Sequence, residues 1–173
     1  MNYAIIKHTE MNTLKTILIV EDEPMTCKLL QHILGKTYNV IACDNAKQGL
    51  ECLKTNSTID CVLSDLYMPE IDGKEFILQI RQNLLWAKIP VIILSGAQES
   101  DVRISCLEIG ADDFITKPFN PKEVQLKIEA LLRRNHYVGN HKKNDTMVAT
   151  PIPMLQKYTP WWKRLLDIRS NYF

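Results

Sequence analysis

Residues 16–24 read TILIVEDEP, five aliphatic or β-branched residues running directly into three carboxylates and a proline. A run this short and this uniformly apolar, Thr16–Val20, fits a strand buried on both faces better than an alternating surface strand. Pro24 suits the first turn of a helix, where its missing N–H has no helical partner and its ring pre-sets φ. The stretch therefore predicts a strand, an acidic turn and a helix whose apolar face carries Leu29, Leu30, Ile33 and Leu34.

The same unit recurs along the chain. Further short apolar runs lie at Tyr38–Ala42, Cys61–Ser64, Val91–Leu94 and Asp113–Ile115. Segments with helical spacing separate them. Asn45–Thr55 carries Ala46, Leu50 and Leu53 behind Asn45 as a helix cap, and Lys74–Gln82 carries Phe76, Ile77 and Ile80. Ser100–Ile109 carries Val102, Leu107 and Ile109, and Pro121–Arg134 carries Val124, Ile128, Leu131 and Leu132, capped by Asn120. Five strands alternating with five helices predict an α/β fold, a doubly wound five-stranded parallel sheet flanked by helices. Right-handed crossovers make the flavodoxin-like order 2-1-3-4-5 the expected one, with chemistry at the carboxyl ends of the strands.

The chain has 173 residues and is 46% apolar, enough for one domain with tails and its own core. We read residues 1–13 as an extension, 14–134 as the folded body, 135–160 as a linker and 161–173 as a short amphipathic segment. The body holds 14 Lys and Arg against 17 Asp and Glu, a net −3, whereas residues 135–173 hold 6 against 2, a net +4. A mildly acidic body argues against direct nucleic-acid binding. No apolar run approaches the roughly 20 residues of a membrane span, and Met1 to Thr13 lacks a secretory layout. A cytoplasmic location is the expectation. The five cysteines, Cys27, Cys43, Cys52, Cys61 and Cys106, show no CxxC spacing and sit among apolar residues, so they read as buried small hydrophobes.

Four of the five strand ends carry polar groups: Glu21-Asp22-Glu23, Ser64-Asp65, Ser95-Gly96 and Thr116-Lys117-Pro118. In the expected strand order these converge on one crevice. Glu21, Asp22 and Asp65 would repel one another there unless a cation joined them. Magnesium, a hard ion that takes oxygen ligands, is the natural partner, and manganese an equivalent one. Lys117 is a point charge suited to an incoming phosphoryl group, and Ser95 can donate a hydrogen bond to a phosphoryl oxygen. Each position alone reads as an ordinary solvated loop residue. Jointly they read as a phosphoryl-transfer site, which works mainly by positioning and charge neutralisation.

The strings ILIVEDEP, VLSDLYMPEIDG, VIILSG and GADDFITKPF resemble, in order and spacing, the motifs of response-regulator receiver domains over about residues 14–134. The resemblance implies that Asp65 accepts a phosphoryl group from a histidine kinase or histidine phosphotransfer protein, without the domain being an enzyme in its own right. It implies that Glu21, Asp22, Asp65 and the main-chain carbonyl of Tyr67 hold Mg2+. Ser95 and Phe114 match the family's switch pair, Lys117 its lysine, and Lys117–Pro118 its cis peptide. The implied output is a rearrangement of the face made by the fourth helix, fifth strand and fifth helix, with homodimerisation on phosphorylation as one form it takes. Glu21 departs from the more usual Asp, and Phe114 lacks a tyrosine hydroxyl.

The tail leaves alternatives open. Trp161, Leu165, Ile168 and Tyr172 fall on one helical face, which suits packing on the body, a partner, or peripheral contact with a membrane interface. Residues 163–168, KRLLDI, resemble the opening segment of bacterial sugar transferases that prime polysaccharide synthesis at the membrane. The second reading is therefore a receiver fragment of a fusion that regulates such a transferase. A third, a flavin binder or aspartate-based phosphatase, is disfavoured because no glycine-rich phosphate loop follows the first strand.

Overall fold

A computed structural model describes residues 14–96 and 100–141. Five strands, β1 (Thr16–Val20), β2 (Asn39–Cys43), β3 (Ile59–Asp65), β4 (Val91–Ser95) and β5 (Asp113–Thr116), alternate with five helices. These are α1 (Pro24–Leu34), α2 (Ala46–Thr55), α3 (Gly73–Gln82), α4 (Ser100–Glu108) and α5 (Pro121–His141). The strands form one parallel sheet in the order β2-β1-β3-β4-β5, the expected doubly wound arrangement.

Alternation along the strands divides the core into two layers. Leu18, Val20, Val62, Ile93 and Phe114 join Ala46, Leu53, Phe76, Ile77, Ile80 and Cys106 from α2, α3 and α4. Ile17, Ile19, Leu63, Leu94 and Ile115 face the other way and meet Leu30, Leu34, Val124 and Ile128 of α1 and α5. Every residue of β1 and β4 is buried, which explains why those runs read as continuously apolar. β2 is different. It is an edge strand, and Val40, Ile41 and Ala42 are only half-buried.

Several boundaries shift from those read in the sequence. β3 begins two residues early, at Ile59, because Asp60 finds tertiary partners that offset its poor strand preference. Its carboxylate accepts from Lys15 Nζ at 2.9 Å and from the Thr16 N–H at 2.8 Å. α5 continues to His141, whereas the polar composition after Arg134 suggests a linker; no proline interrupts residues 135–141. The chain divides into a compact unit ending at Val138 and a second beginning at Gly139, of which only the end of α5 is described. Residues 1–13 and the segment 161–173, with its amphipathic and KRLLDI readings, lie outside the described residues.

Candidate functional site: an acidic pocket at the strand ends

Parallel pairing brings the ends of β1, β3, β4 and β5 to one edge. In register, Val20 pairs with Ser64, Asp65 with Leu94, and Ser95 with Thr116, so each chemical residue stands at or just beyond its strand's last pair. Backbone bonds then fix the loops that follow. The Glu21 N–H donates to the Cys43 carbonyl at 3.1 Å, Leu66 N–H to the Leu94 carbonyl at 2.9 Å, and Lys117 N–H to the Ser95 carbonyl at 2.7 Å. The Lys117–Pro118 peptide is cis.

Glu21, Asp22 and Asp65 each place a carboxylate oxygen within 4.8 Å of the others. Asp22 is exposed, whereas Glu21 and Asp65 are buried. Lys117 Nζ reaches both Glu21 oxygens at 2.8 Å and Asp65 Oδ2 at 3.1 Å, so one ammonium ties the ends of three strands together. Asp65 Oδ1 accepts from the Leu66 N–H at 2.7 Å. The two oxygens of Asp65 are thus held by different donors, which fixes the plane of the carboxylate.

Charge decides what this pocket can hold. Three carboxylates against one lysine leave two negative charges uncompensated. Burial above all, with the Asp65 carboxylate adding to it, raises the Glu21 carboxyl above its ordinary range; the Lys117 bond pulls the other way without cancelling it. A divalent cation would supply the missing charge, and an all-oxygen donor set is the chemistry of a hard ion. The residues present fit magnesium.

Glu23, the third acid of the first turn, lies outside this group. Its side chain caps α1 by accepting from Met25 N–H at 3.0 Å and Thr26 N–H at 2.6 Å. Bonds from Thr26, its side chain foremost, hold the Glu23 carboxyl below the usual value. Ser95 is fully buried at the end of β4, and Phe114 is 4% exposed in β5, packed into the α2–α4 layer. The Tyr67 side chain is exposed.

Two features of the site are missed by motif reading. Ser64 Oγ donates to the Asp65 carbonyl at 2.9 Å, steadying the backbone of the central acid. Gly73 donates its N–H to the Leu66 carbonyl at 2.7 Å, and a Cβ there would lie 2.5 Å from the Asp65 carbonyl oxygen. Only glycine lets the start of α3 approach the loop so closely. The signal was the glycine closing the MPEIDG turn.

The response regulator receiver domain family model matches residues 17–129. The chain belongs to the response regulator receiver family. The alkaline phosphatase synthesis transcriptional regulatory protein PhoP of Bacillus subtilis (strain 168) is 36% identical over 136 residues, covering 77% of this receiver chain and 55% of that protein. The transcriptional regulatory protein CpxR of Escherichia coli (strain K12) is 35% identical over 130 residues, 75% of this chain and 54% of its own. The chain spans about half the length of the curated relatives it matches. A crystal structure of the signal receiver domain of a signal transduction histidine kinase from Syntrophus aciditrophicus superposes with a TM-score of 0.64 at 30% identity, over 80% of this chain and 99% of that one. The receiver is thus a module of two-component signalling. The sugar-transferase reading draws no support from these relatives. No helix among the described residues is long and apolar enough to cross a membrane.

Proposed function

We propose that the receiver is a phosphorylation switch with Asp65 as its phosphoacceptor. The observation that carries this reading is the bridge from Lys117 Nζ to Asp65 Oδ2 at 3.1 Å and to both Glu21 oxygens, in a pocket short of two positive charges. In the transfer, an Asp65 carboxylate oxygen attacks phosphorus, the O–P bond forms, and the P–N bond to a histidine of the kinase or phosphotransfer protein breaks. The electron pair and the proton stay with the departing imidazole. Leu66 N–H and Lys117 orient the carboxylate for this attack, and catalysis is by positioning and charge.

Glu21, Asp22, Asp65 and the Tyr67 main-chain carbonyl would hold Mg2+, or Mn2+ in its place, which supplies neutralisation of phosphoryl charge when bound. Once the acyl phosphate exists, about −1.5 to −2 of charge sits beside Lys117 and Ser95. Lys117 can leave Glu21 for a phosphoryl oxygen, and the Ser95 hydroxyl can turn toward another. Both residues lead directly into the loops before α4 and α5. Phe114 lies in the strand between, so its side chain is the one positioned to follow. The α4–β5–α5 face then changes its affinity for a partner, through a two-state equilibrium biased by local charge. The relatives' names favour a transcriptional output over regulation of a sugar transferase.

Incubation of the chain with a small acyl phosphate and Mg2+ tests this by intact mass. One phosphoryl adduct is expected, absent with chelator and absent in Asp65→Asn. An adduct that persists in Asp65→Asn would remove the assignment.

A further inference from the structure

The cysteines do not all behave as the isolated buried hydrophobes that their spacing suggests. Cys43, the last residue of β2, and Cys52, in the second turn of α2, place their sulfurs 3.2 Å apart. Cys43 is 3% exposed, in the core layer with Val20, Ala46, Leu53 and Phe76, whereas Cys52 is only half-buried and packs against that layer. The contact is enforced by the fold. Gly49, three residues before Cys52 and on the same helical face, lies so near β1 that a Cβ would sit 2.9 Å from Val20 Cγ2.

We propose that Cys43 and Cys52 form a redox modification site, closing an intradomain disulfide when a peroxide or a small disulfide oxidant reaches Cys52. With peroxide, the Cys52 thiol gives up its proton, the thiolate attacks one peroxide oxygen, and the O–O bond breaks; Cys52 becomes a sulfenic acid and the departing hydroxide takes that proton to leave as water. The Cys43 sulfur then attacks the Cys52 sulfur, the S–S bond forms, and the S–O bond breaks. The departing hydroxide takes the Cys43 proton and leaves as a second water. Two thiols lose two electrons and two protons, and one peroxide is reduced to two waters. The half-buried partner, Cys52, meets the oxidant, and the enclosed partner, Cys43, resolves it.

Closing from 3.2 Å to a bond of about 2.05 Å asks for a movement of roughly 1.1 Å. Proximity of this kind compensates for the poor reactivity of an enclosed, protonated thiol. The bridge would tie α2 to the end of β2, whose final carbonyl accepts the Glu21 N–H. A redox event would therefore bear on the strand beside the acidic pocket, whether or not Asp65 is the phosphoacceptor. Cys27, Cys61 and Cys106 serve as internal controls.

The full chain, freshly reduced and freed of reductant, is treated with hydrogen peroxide or with oxidised glutathione, unfolded in excess alkylating agent and digested. The expected product has lost two hydrogens, carries three alkyl groups instead of five, and yields one peptide pair linking Cys43 to Cys52. Cys27→Ser retains the bridge, and Cys43→Ser and Cys52→Ser each abolish it. Five alkylated thiols after oxidation, a stable glutathione adduct on Cys52 without a bridge, or a bridge between other cysteines overturns the proposal. Because the decisive reading is on the unsubstituted chain, misfolding of a variant does not obscure it.

Discussion

Truncating Arg81 to alanine should weaken the fold at the end of the sheet opposite the acidic pocket. Arg81 closes α3, and its guanidinium donates from Nε to the Gly110 carbonyl at 2.8 Å and from Nη1 to the Ala87 and Ile89 carbonyls at 3.2 and 2.8 Å. Nη2 pairs with Asp112 Oδ2 at 2.8 Å, with the two side chains 19% and 22% exposed. One side chain thus joins α3 to the loops that lead into β4 and β5. Its stem also lies against Gly110, which has φ +111° and where a Cβ would sit 3.0 Å from Arg81 Cγ. Breaking a buried pair outright costs about 3–5 kcal/mol. Here the cost is smaller, because Asp112 keeps Arg134 at 2.6 Å and the Val91 N–H at 2.9 Å. Burial also pulls the Arg81 pKa down, so removing the guanidinium returns part of its desolvation cost. Three lost carbonyl bonds at about 1 kcal/mol each, with this offset, give a loss of about 2–3 kcal/mol. With a urea slope of about 1.5 kcal/mol/M, the midpoint should fall by roughly 1.3–2 M with the slope unchanged. Arg81→Lys should recover less than half of this, since an ammonium cannot reproduce the fork. A midpoint within about 0.3 M of the original would show that this network contributes little to stability.

Further outcomes follow from other contacts. Gly73→Ala forces a Cβ against the Asp65 carbonyl, where backbone must shift, and should cost about 3 kcal/mol, read as a drop in Tm of roughly 10 °C. Mg2+ at a hundredfold excess over its Kd should stabilise the chain by about 2.7 kcal/mol; Asp22→Ala, which removes an exposed member of the acidic group, should abolish the shift in thermal midpoint without lowering the metal-free value. Burial pushes the Cys43 thiol up to about 12 from an ordinary 9.0, and the Cys61 thiol up as well. A raised folded-state pKa contributes stability that is complete below 9.0 and is lost as pH rises through the folded value. The urea midpoint of the reduced chain should therefore decline above pH 9.0, and less steeply in Cys61→Ala.

What was legible in the sequence is what repeats or what is covalently punctuated. β1 and β4 are recovered to the residue or within one, because full burial on both faces leaves an unbroken apolar run. Asn45 is read correctly as a cap because it needs only its own backbone neighbours, and its side chain does accept from Gln48 N–H at 2.9 Å. The grouping of Glu21, Asp22, Asp65 and Lys117 follows from strand order alone. What depends on distant partners was not legible. Asp60 enters β3 through Lys15 and Thr16, some 44 residues away, and the Arg81 fork spans 31 residues to Asp112. Glu23 and Glu21 look equivalent in EDE, and only the start of α1 sends one to a cap and the other to the pocket. Cys43 and Cys52 fit no spacing rule, since a strand end and the second turn of a helix meet by packing rather than by period.

The switch turns on Asp65 taking the phosphoryl group. Transfer from a phosphohistidine protein in the presence of Mg2+, followed by borohydride reduction and peptide mapping, reads the acceptor directly, because an acyl phosphate on aspartate is reduced to homoserine. Homoserine is expected at position 65 alone, and none in Lys117→Ala under conditions that label the unsubstituted chain. Label on Ser95, on another carboxylate, or undiminished in Lys117→Ala would contradict it.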